Sequence, residues 1–319
     1  MTSNANTTTK WKQAAIVGVL ALGALTGLVL KLTTKTSVSA HEPQTTFQSP
    51  VEAGAALAKA AGSGNQAAVS QVLGADSKSL LTTGDDDADQ TAMNSFATKY
   101  EKMNRWVDMS DGSRVLYIGA DNFAFPVPLA KNSKGRWYFD AVAGAEEIRA
   151  RDIGRNELLT IDACSALVAA QAIYFSESGE ASEFAQRIVS SPGRHDGLYW
   201  PAAEEETWSP LRSLGELPKS SLSSASTDHA LVIDGYTFRI LTAQGEDAPG
   251  GAGSYMADGK MSGGFAILAI PVSYGNTGIM TFMTSADGQI YERDFGPDTK
   301  TIAGSIQEFN PSDDWSVIE

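Results

Sequence analysis

Histidine, cysteine and positive charge are all scarce in this sequence of 319 residues, and each scarcity removes a class of chemistry. The single cysteine, Cys164, cannot form an internal disulfide, so no part of the fold is stapled. Set within an apolar helical pattern, it reads as a small buried residue. A catalytic thiol would want a histidine nearby, and His41, His195 and His229 all sit in polar, loop-like sequence. So few imidazoles leave little for metal coordination or general-base work. No Gly-x-Ser-x-Gly nucleophile elbow occurs. The net charge is −14, and the first forty residues hold four lysines and no acid, so the rest carries 20 basic against 38 acidic side chains. A body at −18 repels phosphate backbones, which argues against nucleic-acid binding and accounts for solubility.

Ala14 to Leu30 is a run of 17 residues without a charge, preceded by Lys10 and Lys12. That length lies between a signal-peptide core and a membrane span. Val38-Ser39-Ala40 offers small residues for cleavage, whereas Lys31 and Lys35 between run and cleavage site favour retention. Two readings stand, a single-pass inner-membrane anchor at 14–30 or secretion after cleavage at Ala40. Both place the body outside the cytoplasm, in the periplasm or at the cell surface.

The organising stretch is Gly144 to Ser178, free of proline and with one interior glycine, Gly154, from Ala145 on. Leu158, Ile161, Ser165, Val168, Ala172 and Phe175 recur at helical spacing, and Leu159, Ala163, Ala166, Ala170 and Ile173 do so on an adjacent face. Two stripes predict a helix covered from more than one side, a spine shared by an N-terminal and a C-terminal module. Ahead of it, Ser49-Pro50-Val51-Glu52 is a capping box opening a helix to about Ala61. Asn65 caps a second helix, and a third is expected near Thr91 to Met103, with Asp89 as its cap. The period then falls to two, giving strands at 106–109, 114–118, 125–129 and 136–140. After the spine comes a polar region from Glu177 to Asp228, then strands at 236–243, 264–271, 278–284 and 289–293 with a tight Asp287-Gly288 turn. A closing helix is expected from Thr299 to Phe309. The expected fold is α+β, divided into residues 1–40 (signal or anchor), 47–150 (a cone-like α+β module) and 151–319 (long helix plus antiparallel meander).

Three helices followed by a curved meander resemble nuclear-transport-factor-2-like domains. The long helix, loop region and last hairpin, with Ala170-Gln171-Ala172-Ile173-Tyr174-Phe175 and Tyr274-Gly275-Asn276-Thr277-Gly278, resemble type IV pilin globular heads. In a pilin the spine begins at an apolar mature N-terminus, whereas here it continues from the charged stretch Glu146 to Arg155, which speaks against pilin-type polymerisation. From about Phe47 to the end, the chain resembles a bacterial family catalogued as domain of unknown function 2950. The matching strings include Phe125-Pro126-Val127-Pro128-Leu129, Trp137-Tyr138-Phe139-Asp140, Ile153-Gly154-Arg155-Asn156-Glu157-Leu158 and Phe238-Arg239-Ile240-Leu241-Thr242-Ala243-Gln244-Gly245. The resemblance implies an exported bacterial protein and brings no catalytic residue to carry over.

Asp85, Asp87 and Asp89 alternate as calcium-loop acids do, but Gln90 and Phe96 occupy the positions that need glycine and glutamate. Gly253 to Lys260-Met261 misses a phosphate loop by one residue of spacing and by Met261 in place of Ser or Thr. Glu204 to Glu206 lack the apolar surroundings that would raise a pKa. Two candidate sites remain. Pro249, Gly250, Gly251 and Tyr255 form a glycine-rich interaction loop presenting an aromatic. Arg151, Arg155 and Asn156 form an inter-module tie through hydrogen bonds, beside the helix pairs Glu147–Arg151 and Asp152–Arg155. No catalytic residue, cofactor or metal is assigned. The expected function is a non-enzymatic cell-envelope interaction or structural protein with an unidentified envelope partner. Alternatives are a small-ligand-binding protein or enzyme using a cavity behind Tyr117, Phe123, Phe125, Trp137 and Phe139, and a pilus-associated subunit.

Overall fold

Ser49 starts the first helix as its sequence suggests. Its hydroxyl accepts from the Glu52 N–H at 3.2 Å, while the Glu52 carboxylate accepts from Gln48 N–H at 2.7 Å. The computed structural model describes residues 44–200, 208–213 and 231–318, all within one compact unit, Pro43–Glu319. The apolar run 14–30, the Ala40 cleavage site, Glu204 to Glu206 and the serine-rich patch Ser220 to Ser226 lie outside the described residues.

α1 (Pro50–Gly62), α2 (Gln66–Leu73) and α3 (Asp86–Lys102) pack together ahead of an antiparallel sheet. α3 begins five residues before the expected Thr91 because its cap is Asp85, which accepts from Asp87 and Ala88 N–H, and not Asp89. Acids in the first turn suit the positive end of the helix dipole. Asp89 is instead buried in that turn and accepts from Thr83 N–H and Oγ1. The sheet comprises β1 (Asn104–Asp108), β2 (Arg114–Ile118), β3 (Phe123–Ala124), β4 (Leu129–Lys131) and β5 (Trp137–Phe139), in the order β1-β2-β4-β5 with β3 on β2. The expected strand 125–129 is interrupted, since Pro126 and Pro128 have no N–H to give a ladder. Leu57, Leu73, Leu129 and Phe139 close a first core, with Phe47 bridging to Trp137.

α4 (Ala141–Glu177) is a single unbroken helix of 37 residues, about 55 Å long at 1.5 Å per residue. Asp140 caps it, accepting from Ala143 N–H at 3.0 Å. Near its start a Cβ on Gly144 would stand 2.7 Å from a Val127 methyl, so only glycine lets the loop between β3 and β4 sit this close. Gly154, inside the helix, meets nothing within 4 Å and does not break it. The two apolar stripes are not the buried ones. The buried seam is Ile153, Thr160, Cys164, Leu167, Ala170 and Gln171; apart from Ala170 the stripe residues lie to either side of it, half-covered or exposed, with Leu158 at 58% and Leu159 at 39%. Polar residues are admitted to the seam because each finds a backbone partner. Thr160 donates to Asn156 O at 2.8 Å, and Gln171 both donates to Ala185 O (2.9 Å) and accepts from Ala185 N–H (2.8 Å). α4 is therefore shared by both halves of the fold, but covered along one seam.

Beyond α4, α5 (Pro210–Ser213) packs on the helix. A second sheet follows, a meander in simple sequential order: β6 (Leu231–Ile233), β7 (Tyr236–Leu241), β12 (Ala266–Pro271), β13 (Met280–Ser285), β14 (Ile290–Asp294) and β15 (Ser316–Val317). The short ladders β8 (Ala243–Gln244) with β9 (Gly253–Ser254), and β10 (Met256–Ala257) with β11 (Lys260–Met261), branch from it. β6 was not anticipated; it joins β7 through Asp234 (φ 46°) and Gly235 (φ 79°), a hairpin pair with both φ positive. The closing helix stops at Gly304, since Phe309 is buried and its backbone bridges Ala243 and Gly245. Register places Tyr236, Phe238, Ala269, Phe282 and Glu292 on one sheet face. Cys164, Leu167 and Ala170 of α4 join those strands in a second core. The architecture is α+β, with two hydrophobic cores and α4 running past both; a boundary at 150/151 falls inside that helix.

Candidate functional site

Charge and shape concentrate where α4 meets β13 and along the neighbouring β14. Glu157 continues the buried seam one turn after Ile153 and turns its carboxylate onto the start of β13. Its Oε1 accepts from Ile279 N–H (2.8 Å) and Met280 N–H (3.0 Å), and the neighbouring Asn156 donates to Thr277 O at 3.0 Å. Tyr236 donates its hydroxyl to Met280 O at 2.9 Å beside that carboxylate. Burial first, and then the Glu157 charge, raise its pKa well above the usual phenol value. The turn reaches Tyr236 this closely only because residue 278 is glycine: a Cβ there would lie 1.9 Å from the hydroxyl oxygen. Across the seam sits Glu292 of β14, whose pKa is raised by burial and by the nearby Glu157 charge. Among the described residues, no donor or cation pairs with Glu292.

Beside this seam two grooves open along β14. A groove of about 510 Å³ is lined by Ile161, Asp287, Gly288, Gln289, Ile290 and Ile318. Another of about 310 Å³ is lined by Met280, Glu292, Arg293, Asp294, Asp314 and Ser316. Ile290, Glu292 and Asp294 alternate along one face of β14, Ser316 pairs with Glu292, and Ile318 N–H donates to Ile290 O at 3.0 Å. The two grooves therefore lie in line along β14, a trough in two parts, apolar at Ile161, Ile290 and Ile318 and acidic at Glu292, Asp294 and Asp314. Arg293, the cation at the acidic end, is engaged by Asp314 at 3.2 Å. Leu158, which is exposed, stands one turn before Ile161 on the same stripe of α4.

The inter-module tie predicted at Arg151, Arg155 and Asn156 resolves into separate contacts. Arg151 donates to Ala124 O of the first half at 2.8 Å and pairs with Glu147, also at 2.8 Å. Asn156 reaches the second half as described, and Arg155 pairs with Asp152 at 2.9 Å on the exposed helix surface. Glu157, with two backbone bonds, is the contact the sequence reading missed. An acid falling on the seam register between Ile153 and Thr160 was the available signal.

In the glycine-rich loop, Pro249 and Gly250 are exposed, whereas Tyr255 is only 6% exposed. Its hydroxyl donates to Gln244 Oε1 at 2.9 Å, burial pushes its pKa up to about 12, and Gln244 in turn donates to the carbonyls of Pro249 and Gly251. The ring is turned inward as an anchor for the loop rather than presented outward. Gly253 to Met261 folds into short ladders with Met261 buried, and leads into no helix that could receive a phosphate.

Cys164 is fully buried, and burial pushes its thiol up to about 12, so it is no thiolate nucleophile at neutral pH. The five aromatics named for a cavity divide, with Trp137 lying under Arg114 and Lys131. Phe125 and Phe139 meet edge-on at 6.2 Å within the core, whereas Tyr117 lies under Arg105 and Phe123 under Lys99 and Arg151. Among the described residues, α4 is the one helix long and apolar enough, by length and composition, to cross a membrane; its Cys164, Leu167 and Ala170 are built into the second core.

A family profile described as "Protein of unknown function (DUF2950)" matches residues 44–318, so the chain belongs to that family. No curated protein and no solved structure matches it.

Proposed function

From membership in a family without an assigned activity, we propose that this chain is an exported, non-enzymatic interaction protein of the bacterial cell envelope, docking a partner in the trough beside α4. The observation that carries the reading is the trough itself, which meets α4 at Ile161 and is graded along β14 from apolar to acidic, with exposed Leu158 one helical turn from Ile161. The chemistry around it favours binding over catalysis. Glu157 and Tyr236 are engaged by backbone groups, and the one thiol is sealed in the core. The contact between Phe125 and Phe139 favours a filled first core over a small-ligand cavity. Export rests on the apolar run 14–30, either as retained anchor or as cleaved signal.

A photo-crosslinking residue placed at Leu158 tests the docking face in intact cells, with exposed Val51 on α1 as control. An adduct specific to position 158 is expected. Equal labelling at both positions, or none, sinks the reading. Mass spectrometry of the mature N-terminus in fractionated cells separates anchor from cleaved signal, and a purely cytoplasmic chain refutes export.

A further inference from the structure

We propose that the trough binds an extended segment of a partner protein that carries an apolar side chain and, about four residues further on, a lysine or arginine. This rests on the docking reading and adds the chemistry of what docks.

The apolar site and the acidic site lie on the same strand at a fixed separation. Ile290 and Asp294 are four residues apart on β14, about 13 Å at 3.3 Å per residue, and Glu292 projects to the same side between them. An extended segment laid along β14 repeats that spacing, so a side chain at Ile161, Ile290 and Ile318 places its fourth successor over Asp294. A helix advances only about 6 Å over four residues and could not reach both ends with that spacing.

The charge at the far end is uncompensated. Glu292, Asp294 and Asp314 meet there with Arg293 as the one cation in the lining, and Arg293 is paired with Asp314; Asp294 has only neutral donors, Gly296 N–H at 2.7 Å and the Tyr274 hydroxyl at 3.4 Å. Glu292 is half-buried with Glu157 as its electrostatic neighbour and no cation among the described residues. A partner ammonium or guanidinium entering between Glu292 and Asp294 supplies the missing counter-charge, and an acidic segment is repelled from the same place.

The test uses the full chain and three fluorescein-labelled peptides read by anisotropy. One is Gly-Ser-Leu-Thr-Ser-Thr-Lys-Ser-Gly, the second has Glu in place of Lys, and the third has Ser in place of Leu. The first is expected to bind, and each replacement to weaken binding by about tenfold or more. In the double variant Glu292→Gln, Asp294→Asn, with its unfolding temperature checked, the preference for Lys over Glu should fall below about threefold. Ile161→Asp should abolish binding of the first peptide, and Ile318→Asp is the second variant should the first unfold. Absence of binding by the Lys peptide overturns the inference, as does a Lys preference that survives the double variant. A homodimer of the unliganded chain that Ile161→Asp dissolves would seat a second copy in the trough and also overturns it. A Leu158-specific adduct in cells without peptide binding sinks this inference alone; loss of both sinks the docking reading with it.

Discussion

The two cores use α4 in opposite ways. The first, from Phe47 to Phe139, closes with helices α1 and α2 and the small sheet, and takes no α4 side chain. The second takes Cys164, Leu167 and Ala170 directly from α4. The same helix is thus strapped to one core by Gly144 against Val127 and by Arg151 on Ala124 O, and built into the other. Charge divides along similar lines. Residues 44–140 hold nine basic and 11 acidic side chains, whereas residues 141–319 hold 11 basic and 26 acidic, so nearly all of the excess acidity belongs to the half with the trough. A helix that is core for one half and strut for the other can fix their relation while leaving a flank of its second half free to bind.

Core truncations should give the largest effects and separate the halves. Phe139→Ala removes a fully buried ring and should cost about 3–5 kcal/mol, and Leu167→Ala about 2–5 kcal/mol. Hydrogen exchange should show lost protection first in β2 and β5 for the former and first in β12 and β13 for the latter; identical patterns would mean one core, not two. Next comes the clamp. Glu157→Ala leaves Ile279 and Met280 N–H without their acceptor and should cost about 1–3 kcal/mol, measured by urea unfolding. If the cost is negligible, Glu157 does not hold α4 to the second sheet.

Glu292 should act through pH and in a smaller way. Its folded pKa is raised by burial and by Glu157, so the fold disfavours its charged form. Below the unfolded value of about 4.3 the residue is protonated in both states and costs nothing. As pH rises through that value and past the folded one, the penalty grows to its full size. Glu292→Gln should therefore raise the melting temperature at pH 7 and leave it nearly unchanged at the acid end. A gain that does not depend on pH would refute the electrostatic origin. Smallest of all, Arg155→Ala should change stability by less than about 0.5 kcal/mol, because its one pair is an exposed helix-surface contact with Asp152. A larger loss would restore Arg155 to the tie between the halves.

Much of the fold was legible because it is local. The Ser49 capping box, the Asn65 cap, β2 at its observed bounds and an unbroken helix through Gly154 all follow from neighbours a few residues apart. The seam of α4 was not legible, because apolar periodicity favoured Leu158 and Leu159 while Thr160, Gln171 and Glu157 are admitted to the interior by partners 4, 14 and more than 120 residues away. Tyr255 misled for a related reason. Glycines around it marked a loop, but its inward turn depends on Gln244, which also collects the carbonyls of Pro249 and Gly251. The trough had no local signature at all, since Ile161, Ile290 and Ile318 come from three distant segments.

By itself, then, the sequence determined the long helices, the longer strands, the family and the absence of recognised catalytic motifs, since spacing, capping and composition are properties of short stretches. The tertiary structure decided which side of α4 is buried, which carboxylate clamps it and where an open trough remains. Those depend on the pairing of backbone donors with side chains far apart in the chain, and on how two separately closed cores divide one helix between them.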